Sequence, residues 1–541
     1  MEFFKFLQRE SHELDRRLII AGVFAGVLNT ALIFLLTLAA GKATHGSADL
    51  WDLAKVAICI WAFWASKGFL LHRITLIVEG VVRTVRLRLI DKVCRSNLLS
   101  IESIGRAPLF NVVSTHANTI SRASTSIISG ATSLVLVTCA FLIILWLSGA
   151  AFLVSAATLG FIIGTFWINQ KRTSAAMAEA IVTDNRFVDG FGELLDGFKE
   201  LKMNSDKSRD FNDEHLKPLA AAAEAARVQA GFTVNRSVLL ATAALFVLLA
   251  AVVFLVPAIA PDQAPKVLAV ATLIIFITGP LGEVVMAYPT LHQAMEAIKE
   301  IERIERHLDA PDQPGVAESV PDTEPPLSFA EIDCRRIAFS YRDEHGQTAF
   351  SLDPFDFMLS PGELVFVTGG NGSGKSTFLK VLAGLYPPAG GEIFINAVAV
   401  RPQNRQSYRN LFSPIFSDFH LFDRVYGIKE IDRDRLDQLL LMTELSEKTS
   451  MEDHQITNID LSSGQRKRLA LVLALLEDRA VFLFDEWAAE QDPPFRRKFY
   501  REILPELKQQ GKTVVAVTHD DDHYDVADRV LKMQFGNFVR S

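Results

Sequence analysis

A glycine-rich segment that follows an apolar run carries the clearest chemistry in this chain. It completes the pattern G-x-x-x-x-G-K-S/T with Gly369-Gly370-Asn371-Gly372-Ser373-Gly374-Lys375-Ser376-Thr377. Residues 364–367 predict a buried strand before it and residues 378–382 a helix after it, the context that a phosphate-binding loop requires. Loop N–H groups and the helix N-terminus would hold a β-phosphate, Lys375 would reach the β- and γ-phosphates, and Ser376 would ligate Mg²⁺. The segment therefore predicts a nucleoside triphosphate site, with ATP and Mg²⁺ as its ligands.

Further motifs follow in residues 329–541. The segment 461–465 opens a Leu- and Ala-rich predicted helix, the apolar strand 481–484 ends in Asp485 and Glu486, and the predicted strand 513–518 ends at His519. Each motif alone has a structural explanation, since acids often cap helices and a histidine at a strand end often only packs. All of them in this order favour an ATP-hydrolysing domain.

Together these motifs resemble those of ABC transporters of the exporter type, and the resemblance extends over essentially the whole chain. Within that superfamily the chain is similar to the cyclic peptide exporters, which move cyclic peptides, lipopeptides and peptide siderophores or their precursors. This narrower resemblance depends on less common segments, namely residues 416–423, 485–493 and 519–522.

The resemblance implies roles for the residues of the ATP site. Asp485 would hold Mg²⁺ together with Ser376, Glu486 would accept a proton from the attacking water, and His519 would contact the γ-phosphate. The resemblance also implies that Tyr341 stacks on adenine. ATP hydrolysis coupled to transport is the activity that it predicts.

A second set of roles concerns the opposite subunit. Asp492 falls at the position that communicates across the dimer, and Ser462 would meet the γ-phosphate bound to the other subunit. The signature segment comprises Ser462, Ser463, Gly464 and Gln465, with Ser463 in place of the more usual Gly.

One position departs from the family pattern near the metal. ABC ATPases commonly carry a Gln where this chain has Ser417, followed by Asp418. Serine is too short to make the same Mg²⁺ contact without an intervening water. Ser417 with a water and Asp418 directly are therefore alternative metal contacts.

The chain carries one phosphate-binding loop and one signature segment, and in this architecture a nucleotide lies between those motifs of two different domains. Two copies must meet, so a homodimer is the expected assembly. A heterodimer with a related half-transporter is the alternative.

The N-terminal part has the composition of a membrane protein. Apolar residues make up 49% of the chain and its mean hydropathy is +0.22. A bilayer core of about 30 Å needs about 20 apolar residues in a helix. Six runs are predicted to cross a bilayer, at about residues 18–40, 53–76, 124–147, 150–170, 237–260 and 265–290.

These patterns predict a multi-domain fold. An all-α polytopic membrane domain occupies residues 1–308, an acidic, Pro-rich linker 309–328, and an α/β P-loop nucleotide-binding domain 329–541. Basic residues concentrate at the N-terminus and in the loops after the second and fourth spans, which predicts cytoplasmic termini in a bacterial inner membrane. The net charge of −8 gives no reason to expect nucleic-acid binding.

Charged residues inside spans often face a cavity. Lys67 and Glu283 are therefore candidate substrate contacts, with Trp61 and Trp64 beside Lys67 for an amphipathic, peptide-like ligand. The alternative is that Lys67 snorkels and the aromatic rings pack against lipid. The predicted function is an ATP-driven half-transporter that exports such a peptide by alternating access. A membrane-anchored regulatory ATPase without solute transport is the alternative.

Overall fold

The computed structural model describes residues 2–10, 16–44, 49–309, 329–342 and 347–539. The predicted linker lies outside the described residues except for Asp309. The chain divides into two compact units: a membrane unit of Met1–Arg86 and Val112–Glu300, and a nucleotide unit of Leu87–Asn111 and Ile301–Ser541. The segment 87–111, which lies inside the predicted membrane domain, thus groups by its contacts with the nucleotide unit.

Long helices dominate the N-terminal part because its apolar runs contain few residues that end a helix. After the amphipathic helix Glu2–Glu10, the long helices are Arg16–Thr44, Leu50–Arg95, Ala117–Leu147, Gly149–Asp196, Lys217–Ile259 and Val267–Leu308. Shorter segments connect them, namely Leu98–Ile104, Arg106–Asn111, Val112–His116, Phe198–Met203, Ser205–Asp210, Phe211–Leu216 and Pro261–Lys266.

A single residue, Ser148, separates the third and fourth long helices. Its hydroxyl accepts a hydrogen bond from the backbone N–H of Ala151 at 3.1 Å and so caps the following helix. This satisfies one of the donors that a helix N-terminus leaves unpaired. The uncharged run 123–170 thereby becomes two antiparallel helices with a very tight turn.

Among the described residues, five helical stretches are long and apolar enough to cross a bilayer: Ile20–Ala39, Leu50–Arg95, Arg106–Leu147, Ser205–Ile259 and Val267–Leu308. The fourth predicted span lies in the helix Gly149–Asp196. The apolar stretch described there, Gly149–Phe161, is shorter than the other five. The structure does not describe the side chains of several residues that follow this stretch. The helical membrane architecture agrees with the prediction, and five of the six predicted spans fall in these stretches.

Small residues allow close helix packing in the membrane unit. A Cβ added at Gly130 would lie 2.5 Å from the Cβ of Ala287, so the helices Ala117–Leu147 and Val267–Leu308 approach too closely there for a larger residue. Further along, Ile144, Val252 and Ile274 belong to one buried apolar cluster.

The nucleotide unit contains two main sheets. An antiparallel sheet has the strand order Thr348–Leu359, Ile332–Arg342, Gly390–Ile395 and Val398–Ala399. A six-stranded sheet has the order Asn537–Val539, Arg529–Gln534, Leu364–Gly369, Thr513–Val517, Val481–Asp485 and Phe412–Ile415, parallel except at its first pair. A short hairpin pairs Met451–Glu452 with Gln455–Ile456.

Nine helical segments follow among the described residues after position 347. They are Lys375–Leu382, Arg405–Arg409, Arg433–Met442, Ser463–Glu477, Trp487–Glu490, Pro493–Lys498, Phe499–Ile503, Leu504–Gln509 and Asp521–Val526. Along the strand Leu364–Gly369, Val365 and Val367 belong to one core cluster while Leu364 and Phe366 belong to another. A strand buried on both faces explains the continuous apolar run in the sequence.

The strand order decides where the site lies. Thr513–Val517 runs between Leu364–Gly369 and Val481–Asp485, and all three strands are parallel. Their carboxyl ends therefore meet at one edge of the sheet, where ligands bind in open α/β folds. The α/β P-loop architecture predicted for this part of the chain is confirmed.

Candidate functional site

The phosphate-binding loop adopts a conformation that requires glycine. Gly374 has φ 103°, and a Cβ there would lie 2.8 Å from side-chain atoms of both Phe350 and Leu352. The next residue, Lys375, begins the helix and is only 5% exposed. Its Nζ donates to the carbonyl oxygens of Gly369 at 2.9 Å and Gly370 at 3.1 Å, so the ammonium lies over the loop.

A cavity of about 280 Å³ opens above this loop. Its lining residues are Tyr341, Phe350, Asn371, Gly372, Ser373, Gly374, Lys375, Ser376, Thr377 and Glu486. The hydroxyl of Ser373 is buried and has no hydrogen-bond partner among the described residues. A buried unpaired polar atom beside a buried ammonium and a helix N-terminus fits an anionic ligand.

Two aromatic rings stand at one side of this cavity. Tyr341 was predicted from the resemblance, whereas Phe350 was not, although it pairs with Tyr341 across adjacent strands. Their ring centroids are 6.3 Å apart. Only strand pairing brings Phe350 to the site, and the loop between the strands gave no motif that would have identified it.

Hydroxyl and carboxylate oxygens converge at the end of the strand Val481–Asp485. Ser376 Oγ donates to one carboxylate oxygen of Asp485 at 3.0 Å, and Ser417 Oγ donates to the other at 3.3 Å. Magnesium prefers such oxygen donors, so these three residues fit a Mg²⁺ site completed by phosphate. Asp418 is exposed and has no hydrogen bond or ion pair with any described residue.

Burial dominates the electrostatics of Asp485, which is 1% exposed. Burial raises the pKa of its carboxyl above the ordinary value, the hydrogen bond from Ser376 opposes this, and the neighbouring charge of Glu486 raises the pKa further. A carboxylate that is costly to keep charged without a partner is suited to binding a cation.

Glu486 lies between two other predicted site residues. Its Oε1 is 3.2 Å from Nε2 of His519 and 3.6 Å from Nζ of Lys375. Its backbone has φ 49°, in the left-handed region that is unfavourable for a side chain with Cβ. The structure thus brings together Lys375, Glu486 and His519 from the segments that follow three adjacent strands.

The signature segment forms a helix N-terminus away from this cavity. Ser462 and Gln465 make a capping box, in which Gln465 N donates to Ser462 Oγ at 3.4 Å and Ser462 N donates to Gln465 Oε1 at 3.1 Å. Ser462, Ser463, Gly464 and Gln465 are not among the residues that line the cavity.

A buried arginine that the sequence analysis did not identify joins the signature helix to the segment after Glu486. Arg468 Nε donates to Gln491 Oε1 at 2.9 Å, its Nη1 donates to Glu444 at 2.7 Å, and its Nη2 contacts Asp492. Its guanidinium also lies 3.7 Å from the ring centroid of Phe495. Asp492 is therefore held on the signature helix of its own chain.

A short helix within residues 87–111 contacts residues beside the nucleotide cavity. We call Leu98–Ile104 the docking helix. Its Glu102 accepts a hydrogen bond from Tyr386 Oη at 2.8 Å and lies 3.5 Å from Lys380 Nζ. The Tyr386 ring in turn lies edge-on to Tyr341, with centroids 5.7 Å apart. The docking helix thus reaches the aromatic side of the cavity through one residue.

The residues predicted to contact substrate occupy separate environments in the membrane unit. Trp61 and Trp64 are 68% and 73% exposed. Lys67 Nζ lies 5.6 Å from the ring centroid of Phe63, while Glu283 accepts a hydrogen bond from Ser133 Oγ at 2.5 Å. Among the described residues no ion pair joins Lys67 to Glu283, and a substrate role for these four residues stays a prediction.

A different part of the membrane unit holds a larger cavity, of about 540 Å³. We call it the membrane cavity. The residues that line it are His116, Thr173, Ser174, Met177, Ala178, Ile181, Val234, Val238, Val285, Met286, Pro289, His292, Gln293, Glu296, Ala297 and Glu300. None of the four predicted substrate contacts is among them.

Comparisons with known proteins agree with the site geometry. Residues 352–489 match the family described as "ABC transporter". The ATP-binding protein SyrD of Pseudomonas syringae pv. syringae is 37% identical over 355 residues, which cover 64% of this chain and 62% of SyrD. The energy-coupling factor transporter ATP-binding protein EcfA1 of Mycoplasma genitalium is 31% identical over 230 residues, covering 40% of this chain and 80% of that protein.

A solved structure has the same fold along nearly the whole chain. The structure of a bacterial Atm1-family ABC exporter with ATP bound superposes with a TM-score of 0.77 at 16% sequence identity, covering 98% of this chain and 95% of the other. The chain therefore belongs to the ABC transporter family and has the fold of an ABC exporter.

Proposed function

We propose that this protein is an ATP-driven export half-transporter that moves a cyclic peptide, lipopeptide or peptide siderophore precursor out of the cytoplasm by alternating access. The observation that carries the proposal is the convergence of Lys375, Asp485 and Glu486 beside a glycine loop, in a chain with the fold of an ABC exporter. In the predicted topology both termini lie on the cytoplasmic side of a bacterial inner membrane, so the site would face the compartment that contains ATP.

The position of each site residue supports a particular role in ATP binding or hydrolysis. The loop N–H groups and Lys375 would bind the phosphates, and Asp485 and Ser376 would hold Mg²⁺, with Ser417 reaching it through a water. When bound, Mg²⁺ neutralises phosphate charge. Glu486 accepts the proton of the attacking water, and His519, 3.2 Å from Glu486, orients that water and the γ-phosphate.

Two copies of the chain are part of the proposal. The signature residues do not line the cavity of their own chain, so the partner's signature segment would complete each site. A homodimer supplies two such sites from identical halves.

The substrate class rests on the segments 416–423, 485–493 and 519–522 that resemble cyclic peptide exporters. All three contribute contacts at the site or beside it, since Ser417 contacts Asp485, Asp492 contacts Arg468 and His519 contacts Glu486. These segments therefore support the assignment to this group of exporters through the nucleotide site.

Uptake into inverted membrane vesicles tests the proposal. Vesicles with the wild-type protein should accumulate labelled cyclic peptides, with or without an acyl chain, only when ATP is present, and vanadate should stop accumulation. Vesicles with Glu486→Gln are the matched control and should accumulate none. ATP hydrolysis without accumulation of any of these peptides would favour the regulatory ATPase instead.

A further inference from the structure

The left-handed backbone of Glu486 needs support from its surroundings. Its φ is 49° and its ψ is 37°, a conformation that is unfavourable for a residue with a Cβ atom and persists only where neighbouring groups hold it. Backbone hydrogen bonds supply part of that support, since Glu486 N donates to the carbonyl oxygen of Val517 at 3.2 Å and Ala489 N donates to the carbonyl oxygen of Glu486 at 3.3 Å. A side chain adds to it: Lys467 Nζ donates to the same Glu486 carbonyl oxygen at 3.2 Å. The conformation of Glu486 therefore depends in part on a residue of the helix Ser463–Glu477.

Lys467 is fixed against the segment 486–490 by several contacts. It is only 4% exposed, and a buried ammonium is costly unless it is paired. Glu490 provides the pair, with its Oε1 3.0 Å from Lys467 Nζ. The hydrogen bond from Lys467 holds the pKa of the Glu490 carboxyl below its ordinary value, so this carboxylate is charged at neutral pH and balances the ammonium. In return, Trp487 Nε1 donates to the backbone carbonyl oxygen of Lys467 at 3.0 Å.

The backbone of Glu486 sets the direction of its side chain. With this backbone its Oε1 lies 3.2 Å from His519 Nε2 and 3.6 Å from Lys375 Nζ. Rotation of φ and ψ toward the right-handed region would turn the Cα–Cβ bond and move the carboxylate relative to both groups. A misplacement of about 1 Å can lower a reaction rate by about 10²-fold. Lys467 does not line the nucleotide cavity of its chain, so it can act on this geometry without contacting the nucleotide there.

A second lysine makes the same type of contact at the opposite edge of the six-stranded sheet. Lys512 Nζ donates to the carbonyl oxygen of Asp478 at 3.1 Å and lies 3.0 Å from its Oδ1. Asp478 is also left-handed, with φ 56°. The two residues precede the strands Thr513–Val517 and Val481–Asp485, whereas Glu486 follows a strand. Lys512 therefore provides a matched comparison in which a lysine holds a left-handed residue away from the nucleotide cavity.

We propose that Lys467 is a positioning residue for ATP hydrolysis, which holds the backbone of Glu486 in its left-handed conformation and thereby aims the carboxylate at the attacking water. The contact with the Glu486 carbonyl oxygen produces this effect, and the ion pair with Glu490 keeps the ammonium in place. The inference rests on the proposed role of Glu486 as the proton acceptor.

Steady-state ATPase rates of the full chain in lipid nanodiscs test this inference. Lys467→Met keeps an unbranched side chain and removes the ammonium. It should lower kcat about 10- to 100-fold, while the KM for ATP and the Kd of a fluorescent ATP analogue stay within about twofold. Lys467→Gln keeps a shorter N–H donor, so its kcat should fall between those of Lys467→Met and the wild type. It replaces Lys467→Met if that variant does not fold.

Three further variants separate positioning from packing. Glu490→Gln keeps Lys467 and an acceptor oxygen for it, so it should lower kcat far less than Lys467→Met does. Lys512→Met, the matched control, should lower the melting temperature without lowering kcat. In the Glu486→Gln background, Lys467→Met should cause a smaller fold loss of kcat than in the wild type, because it acts through the carboxylate that this background lacks.

An unchanged kcat in Lys467→Met would overturn the inference, and so would a loss of ATP affinity as large as the loss of kcat. An undiminished fold loss in the Glu486→Gln background would have the same meaning, as would an equal fall of kcat in Glu490→Gln or Lys512→Met. Failure of the proposed base role has a different signature, since Glu486→Gln would then itself hydrolyse ATP at the wild-type rate.

Discussion

Two neighbouring carboxylates at the end of one strand have different surroundings. Asp485 is 1% exposed and receives hydrogen bonds from two serine hydroxyls, whereas the Glu486 side chain is 37% exposed and faces His519 and Lys375. The buried residue is suited to hold a cation, and the accessible one is suited to accept a proton from water. This difference assigns the two acids to different steps of ATP hydrolysis.

Glu486→Gln should leave ATP binding intact and lower the hydrolysis rate by about 10²–10⁴-fold, because the amide keeps the shape but is a far weaker base. ATPase rate and binding of a fluorescent ATP analogue, measured on the same preparation, check both halves of this expectation. Wild-type turnover in the variant would remove Glu486 from the mechanism.

Ser417→Ala and Asp418→Asn separate the two candidate metal contacts. Of these two residues only Ser417 hydrogen-bonds to Asp485, so Ser417→Ala should raise the Mg²⁺ concentration needed for half-maximal ATPase activity. The contact of the Ser417 hydroxyl with an intervening water is a neutral hydrogen bond, worth about 0.5–1.5 kcal/mol, which corresponds to a shift of about two- to tenfold. Asp418→Asn is the control and should shift it little. A larger Mg²⁺ requirement in Asp418→Asn than in Ser417→Ala would reverse this assignment.

At the scale of elements, the docking helix connects the segment between two membrane helices to the nucleotide cavity. Glu102 meets Tyr386 and Lys380, and Lys380 lies on the helix that begins with Lys375. Closure of the cavity around a nucleotide would therefore shift Glu102, because Tyr386 and Lys380 already contact it.

Tyr386→Phe should leave nucleotide binding intact but weaken the coupling between the nucleotide cavity and the docking helix. The phenyl ring keeps the stack on Phe339, whose centroid lies 5.1 Å away, so the KM for ATP should stay within about twofold. The hydrogen bond to Glu102 is lost, so stimulation of the ATPase by transported peptide should fall. The double variant with Glu102→Ala should then lose less than the sum of the two single losses, since both changes remove the hydrogen bond between Tyr386 and Glu102. Independent, additive losses would contradict this coupling.

Motif-bearing elements were predictable because their chemistry is local in the sequence. The strand Leu364–Gly369 and its loop follow from an apolar run and a glycine pattern, and the structure confirms both. Contacts between distant segments were not: Arg468 reaches Asp492 and Phe350 reaches Tyr341 only through tertiary packing. Similarly, the hydropathy pattern predicted where the membrane helices lie, but it did not predict which faces of those helices enclose the membrane cavity.

At the scale of the whole molecule, one chain provides half of each proposed ATP site. Its cavity contains the phosphate-binding loop and Glu486, while Ser462 caps a helix that does not line this cavity. The central claim is that two copies complete each other's sites and use ATP to move a peptide.

Mixed dimers test that claim most directly. In a dimer of one Lys375→Ala chain and one Ser462→Arg chain, both lesions fall in the same shared site and leave the other site intact. Each variant alone carries a lesion in both of its sites. Co-expression with two different affinity tags allows the mixed dimer to be purified and placed in proteoliposomes.

The measurement is ATP-dependent accumulation of labelled cyclic lipopeptide by these proteoliposomes. We expect both single-variant dimers to be inactive and the mixed dimer to accumulate peptide, together with about half of the wild-type ATPase rate if its intact site turns over independently. An inactive mixed dimer in both assays, or an active single-variant dimer, would contradict sites shared between two copies. ATP hydrolysis without peptide accumulation in the mixed and wild-type dimers alike would contradict export.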